Sequence, residues 1–176
     1  MQSLLTIRES SDHILGPLSA PITVIEYADF SCPSCLQAQS ALKIMSVQFE
    51  GQMRIVFRHF PVRELHPLSE LVAQAAEAAG AQGKFWPMHD LLFNHQQHLS
   101  ESYLQTLAQQ LDLDMARYHN DIQGHVYLQR VREHIADGHK LALRATPSFF
   151  VNGQLVDVSF GLDHLHKSVE ALVLRH

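Results

Sequence analysis

The chain is short of the residues that most often reveal a function. Its 176 residues include only two cysteines, too few for a disulfide-stapled mini-protein or an all-cysteine zinc site. Positive charge is scarce as well: 13 Lys and Arg stand against 18 Asp and Glu, a formal charge of −5. With no basic excess to neutralise a phosphate backbone, nucleic acid is not an expected partner. Nowhere do 18 predominantly apolar residues follow one another, so no helical membrane span is expected. The first ten residues have neither a basic start nor an apolar stretch of signal-peptide length. Taken as they stand they favour a cytoplasmic protein, with a mature periplasmic form as the alternative. What the chain does have is an apolar fraction of 46% in a length suited to one domain over 1–176. With no dimerisation segment in view, a monomer is expected.

Residues 22–28 are apolar and β-branched apart from Glu26, the pattern of a strand buried on both faces. Beyond Cys35 the period changes. Ala38, Leu42, Met45 and Phe49 form one helical stripe. Residues 53–60 then form a second strand ended by Pro61, making a β-α-β unit with parallel strands. From about 65 to 140 the pattern is helical. One stripe runs through Leu68, Leu71, Val72, Ala75 and Ala79, another through Leu104, Leu107, Ala108 and Leu111, and a third through Leu128, Val131 and Ile135, stopping before Gly138. A further helix begins near Phe85, with Pro87 in its first turn. Near the end, 148–151 and 154–158 flank Asn152-Gly153, the signature of a type I′ hairpin. A last helix carries Leu162, Leu165, Val169, Leu172 and Val173. The expected fold is α/β: a central mixed sheet with an all-helical insertion between its β-α-β and β-β-α halves.

Cys32-Pro33-Ser34-Cys35 lies where the first strand gives way to the helix. Two cysteines placed at random would have this spacing about once in ninety. At a helix N-terminus, unpaired N–H groups and the positive end of the macrodipole favour a thiolate. Cys32 is then a nucleophile for disulfide exchange, and Cys35, one turn further in, can resolve the mixed disulfide. Two alternatives remain open: inert structural thiols, or a metal site that recruits histidines such as His95 and His98 or His164 and His166. Thr146-Pro147 opens the terminal hairpin, either through a cis bond or as an ordinary trans proline. Among the aromatics near the site, Phe30, Phe60, Phe85 and Trp86 are expected mainly in the core. Any left exposed would form an apolar patch for unfolded clients.

Three separated motifs resemble the DsbA-like branch of thioredoxin-fold thiol-disulfide oxidoreductases. They are Ala20 to Phe30 leading into the cysteines, Gly83 to Phe93 in the helical insertion, and Thr146 to Gly153. The resemblance implies a thioredoxin fold with that insertion, Cys32 as the exposed attacking thiol, Cys35 as the resolving one and Pro147 as a cis-proline facing the disulfide. It further implies that Thr146, with Pro33 and Ser34, contacts an extended substrate segment. Glu26 matches a buried acid that assists proton transfer at Cys35, its plain alternative being a strand-end carboxylate. Partners would be protein thiols and disulfides plus a redox partner such as glutathione or a thioredoxin-type protein. No cofactor or metal is required. Two departures stand out. Ser34 replaces the histidine of strongly oxidising members, so its hydroxyl is expected to hydrogen-bond the Cys32 sulfur and to acidify it less than a cation does. Arg144-Ala145 precedes Thr146 where a glycine is common. Two rivals for the function are a glutathione-dependent transferase or isomerase on the same fold and a metal-binding module.

Overall fold

The computed structural model describes residues 2–9 and 11–175. Its centre is a five-stranded mixed sheet in the order β1-β3-β2-β4-β5. Strands β2 (Ile22–Ala28) and β3 (Met53–His59) are parallel, with Glu26 opposite Phe57, and α1 (Pro33–Gln48) forms the crossover. Strand β4 (Ser148–Val151) pairs antiparallel with β2, and β5 (Gln154–Val156) pairs with β4. Strand β1 (His13–Leu15) is an antiparallel edge on β3. Its three residues are too few to show a period of two, and the sequence pattern does not reveal it.

Alternation along β2 assigns the two faces. Val24 points to a core with Leu42, Phe149, Leu165 and Val169, under α1 and α7 (Asp163–Val173). Ile25 and Tyr27 point the other way, toward Phe60, Leu143 and Phe150. At the strand ends a third cluster joins Phe30, Cys32, Cys35 and Phe57 to the helical insertion. The insertion comprises α2 (Ser69–Gly80), α3 (Phe85–Asn94), α4 (Glu101–Gln110), α5 (Met115–Gln123) and α6 (Leu128–Lys140). Helix α2 is buried almost all round, whereas the sequence suggests a single stripe. Its alanines, Ala73, Ala75, Ala76, Ala78 and Ala79, let neighbouring elements approach from several sides. Leu68, expected on that stripe, lies before the helix and is exposed.

Two boundaries and one whole helix differ from the sequence reading. Helix α6 continues through Gly138 to Lys140, because this glycine serves packing: a Cβ there would lie 2.5 Å from a ring carbon of Phe60. Helix α5 was missed, its one buried residue being Tyr118. Asp114 caps it, accepting from the Arg117 N–H at 3.0 Å. Strand β5 stops at Val156 because the Asp157 carboxylate accepts from the Ser159 N–H at 2.9 Å and turns the chain away. The hairpin is as expected, with φ of 46° at Asn152 and 83° at Gly153. Asn152 also accepts from the Thr23 N–H at 2.8 Å, which ties the turn to the start of β2.

Two buried ionic clusters join the N-terminal segment to the sheet and the insertion. Arg58 donates to Asp12 through Nε and Nη2 at 3.0 and 2.8 Å and to the Tyr27 hydroxyl at 3.0 Å. Glu77 on α2 meets His13 at 2.9 Å, His59 at 2.8 Å and Arg130 at 2.7 Å.

Candidate active site at the start of α1

The loop between β2 and α1 is held by groups far from it in sequence. Asp29 accepts from the Ser31 N–H at 2.8 Å, the Val62 N–H at 3.0 Å and the Ser69 hydroxyl at 3.0 Å, and lies 2.8 Å from His66 Nδ1. From the short 3₁₀ turn Gln96–His98, the Gln96 amide donates to the carbonyls of Phe30 at 2.7 Å and Cys32 at 2.9 Å. Sequence reasoning missed both supports. Asp29 stood in a quoted motif without a role, and nothing local distinguishes Gln96 from its neighbour Gln97. So held, Cys32 is the N-cap of α1 with extended φ and ψ of −85° and 121°, and Pro33 follows at the first helical position.

Both thiols are free. Cys32 keeps 8% of its surface and Cys35 none, so the thiol expected to be exposed is instead buried, with only a small accessible remainder. The Cys35 thiol donates to the Cys32 sulfur; with the Thr146 side chain and the N–H groups of Cys35 and Ser34, it outweighs burial and lowers the Cys32 pKa to about 5. Ser34 therefore acts through its backbone rather than through the expected hydroxyl bond. Burial, the bond to Cys32 and the nearby Glu26 push the Cys35 thiol far above its ordinary range. The Thr146-Pro147 bond is cis. The Cys32 thiol reaches the Thr146 carbonyl at 3.5 Å, and a groove of about 510 Å³ runs from Ser34 past Thr146 and Pro147 to Asp157.

Glu26 lies behind the thiols, buried, with one hydrogen bond from the Gln39 amide at 2.9 Å. The same amide reaches the Cys35 carbonyl at 3.3 Å. Burial raises the Glu26 pKa to about 8, and the Gln39 bond offsets only part of that. Phe30, Phe60 and Phe85 are core residues, while Trp86 is half-buried and donates to the Ile14 carbonyl at 3.2 Å. His95 contacts Tyr103, His164 the Asp157 carbonyl, and His166 Gln48. Among the described residues no three His, Cys, Asp or Glu side chains are arranged to hold a metal ion.

The family profile described as Thioredoxin matches residues 8–171. The chain belongs to the thioredoxin family. Within it, a thioredoxin-like oxidoreductase from Silicibacter pomeroyi is 27% identical, with 94% of each chain covered and a TM-score of 0.75. The α-DsbA1 protein of Wolbachia pipientis superposes with a TM-score of 0.82 over 97% of this chain and 95% of its own, at 21% identity. The DsbA-like thioredoxin fold expected from the motifs is thus the fold observed. Among curated sequences, the Na(+)/H(+) antiporter NhaA 1 of Salinispora arenicola is 39% identical over 166 residues, 94% of this chain and 25% of that protein. The chain spans about a quarter of the length of the curated relatives it matches.

These relatives correct the expected compartment. The matching segment occurs within membrane antiporters and the structural neighbours are DsbA-type proteins. The cytoplasmic placement expected from the first ten residues is therefore not supported. The reason for the error is physical: the start of a segment that matches a quarter of a longer protein carries no information about export. No described helix is long and apolar enough to cross a membrane.

Proposed function

We propose that this thioredoxin-family chain is a thiol-disulfide oxidoreductase that exchanges a Cys32–Cys35 disulfide with protein thiols. The observation that carries the reading is the opposite displacement of two thiols one helical turn apart, Cys32 down to about 5 and Cys35 upward. At neutral pH Cys32 is a thiolate and attacks a client disulfide. Cys35 keeps its proton until the mixed disulfide has formed. The ionised fraction of Glu26, which grows as pH rises toward about 8, then takes that proton, and the Cys35 thiolate attacks Cys32 and releases the client. Run in reverse, the same steps donate a disulfide. An extended client segment lies along the groove beside Thr146 and Pro147, with Pro33 and Ser34 on its other side.

A stabilised thiolate favours the reduced protein and makes the disulfide oxidising. A Cys32 pKa of about 5 falls between the roughly 7 of reducing and the roughly 3.5 of strongly oxidising dithiols. The reduction potential is accordingly expected between about −270 and −120 mV, measured by thiol trapping in glutathione buffers. Cys35→Ser should accumulate the mixed disulfide with an oxidised, disulfide-containing client protein. A disulfide that does not form reversibly, or full turnover by Cys35→Ser, would overturn the proposal, the second result in favour of one-thiol glutathione chemistry.

A further inference from the structure

In the exchange just proposed, Cys35 must lose its proton while a client covers Cys32, and Cys35 has no surface of its own. Glu26 can take the proton but is itself buried. Turnover therefore needs a path from this carboxyl to water that a docked client does not block. A second cleft, of about 420 Å³, lies between α1 and α3 and shares no lining residue with the groove at Pro147. Glu26 and Gln39 line it, together with Ser40 and Lys43 of α1 and His89 and Asp90 of α3. Ser40, Lys43 and Asp90 are exposed, so the cleft leads from the buried acid to the surface. Its volume holds several waters, and its polar groups can bind them.

The surroundings of Glu26 leave this direction as the polar one. Its partners on the adjacent strands are Phe57 and Phe149, which carry no charge. The titratable groups around it are Cys35 and Lys43 on α1 and His89 and Asp90 on α3. His89 Nδ1 lies 2.9 Å from Asp90 Oδ1, while its buried Nε2 has no hydrogen-bond partner among the described residues.

We propose that the α1–α3 cleft is the proton exit of the active site, carrying the proton between Glu26 and bulk water on the side away from the client. The inference rests on the exchange reading. In the resolving step the proton of Cys35 passes to the Glu26 carboxylate, and the Cys35 thiolate attacks the Cys32 sulfur. The Cys32–Cys35 bond forms, the bond from Cys32 to the client sulfur breaks, and that sulfur leaves as a thiolate with the bonding pair. Over the cycle the client disulfide gains two electrons and the protein dithiol loses two. Glu26 then gives its proton to water in the cleft, and in the disulfide-donating direction the proton enters by the same path.

Ser40→Phe fills the cleft from its mouth, Asn94→Phe fills it from the α3 wall, and Ser40→Ala leaves it open. The single tryptophan, Trp86, lines the cleft, so its quenching by acrylamide reports closure, and circular dichroism confirms folding. The reduced protein is mixed with an oxidised client protein in stopped flow, and the formation of the Cys32 mixed disulfide and its release by Cys35 are followed as successive phases. The closed variants are expected to resolve at least tenfold more slowly while attacking glutathione disulfide through Cys32 at the wild-type rate, and Ser40→Ala is expected to match wild type in both. Wild-type resolution in a variant whose Trp86 is shielded would overturn the proton exit. Failure of wild-type Cys32 to attack glutathione disulfide would instead overturn the exchange reading.

Discussion

Glu26 and Glu77 are both buried glutamates, yet they differ in kind. Glu77 is surrounded by His13, His59 and Arg130. Burial raises its pKa, but the bonds from the two histidines outweigh it and hold the carboxyl below its ordinary range. Glu26 has one neutral partner, Gln39, and burial dominates, so it keeps a proton to about pH 8. Burial alone makes neither residue chemical. The number of charged partners decides whether a buried acid is a structural anion or a group that can exchange a proton near neutral pH.

The largest expected effect follows from removing the structural anion. Glu77→Gln leaves Arg130 and two histidines without their counter-charge and should cost about 3–5 kcal/mol in urea unfolding, with exchange rates per folded molecule unchanged. A stable Glu77→Gln protein would break the comparison. Glu26→Gln should do the reverse, slowing resolution of the mixed disulfide by about a hundredfold or more. Its effect on stability has a definite sign. The folded carboxyl holds its proton to about pH 8 against an ordinary value of 4.5, so wild type loses stability as pH rises through that window and loses no more above it. Glu26→Gln lacks this loss and should be the more stable protein at pH 8, with the gap closing toward pH 4, as pH-dependent unfolding of the oxidised forms would measure. The smallest expected effect is that of Gln96→Ala. It removes the donor to two carbonyls and should cost about 1–3 kcal/mol, with the cysteine loop, rather than the Glu77 cluster, losing hydrogen-exchange protection first.

Much of this molecule was legible from local pattern. The strands at 22–28 and 53–60, the second one residue longer than β3, the stripe of α1 and the Asn152-Gly153 turn follow from period and turn chemistry, which depend on neighbours in sequence. The two cysteines were legible for the same reason, since their spacing places them on the first turn of a helix. Supports that act across the fold were not. Gln96 reaches Cys32 over 64 residues, and His59 meets Glu77 only once α2 has packed against β3. Their side chains carry no periodic signal, because what they bond is decided by tertiary approach. Gly138 shows the same limit: within an α6 pattern it suggested a stop, and the ring of Phe60 that explains it lies on another element. Glu26 was an intermediate case. The apolar residues around it indicated burial, but its hydrogen-bond partner, Gln39, had no role in the sequence reading.

The contact between Cys32 and Thr146 spans 114 residues, and β2 must accept β4 before it can form. While the chain is being synthesised, the cysteine segment leaves the ribosome long before the strand that completes its environment. For that interval Cys32 lacks the part of its acidity that Thr146 supplies, and the groove beside it does not exist. Client engagement is thus delayed until the C-terminal hairpin docks, because a nascent or truncated chain lacks the groove that residues within 142–159 line.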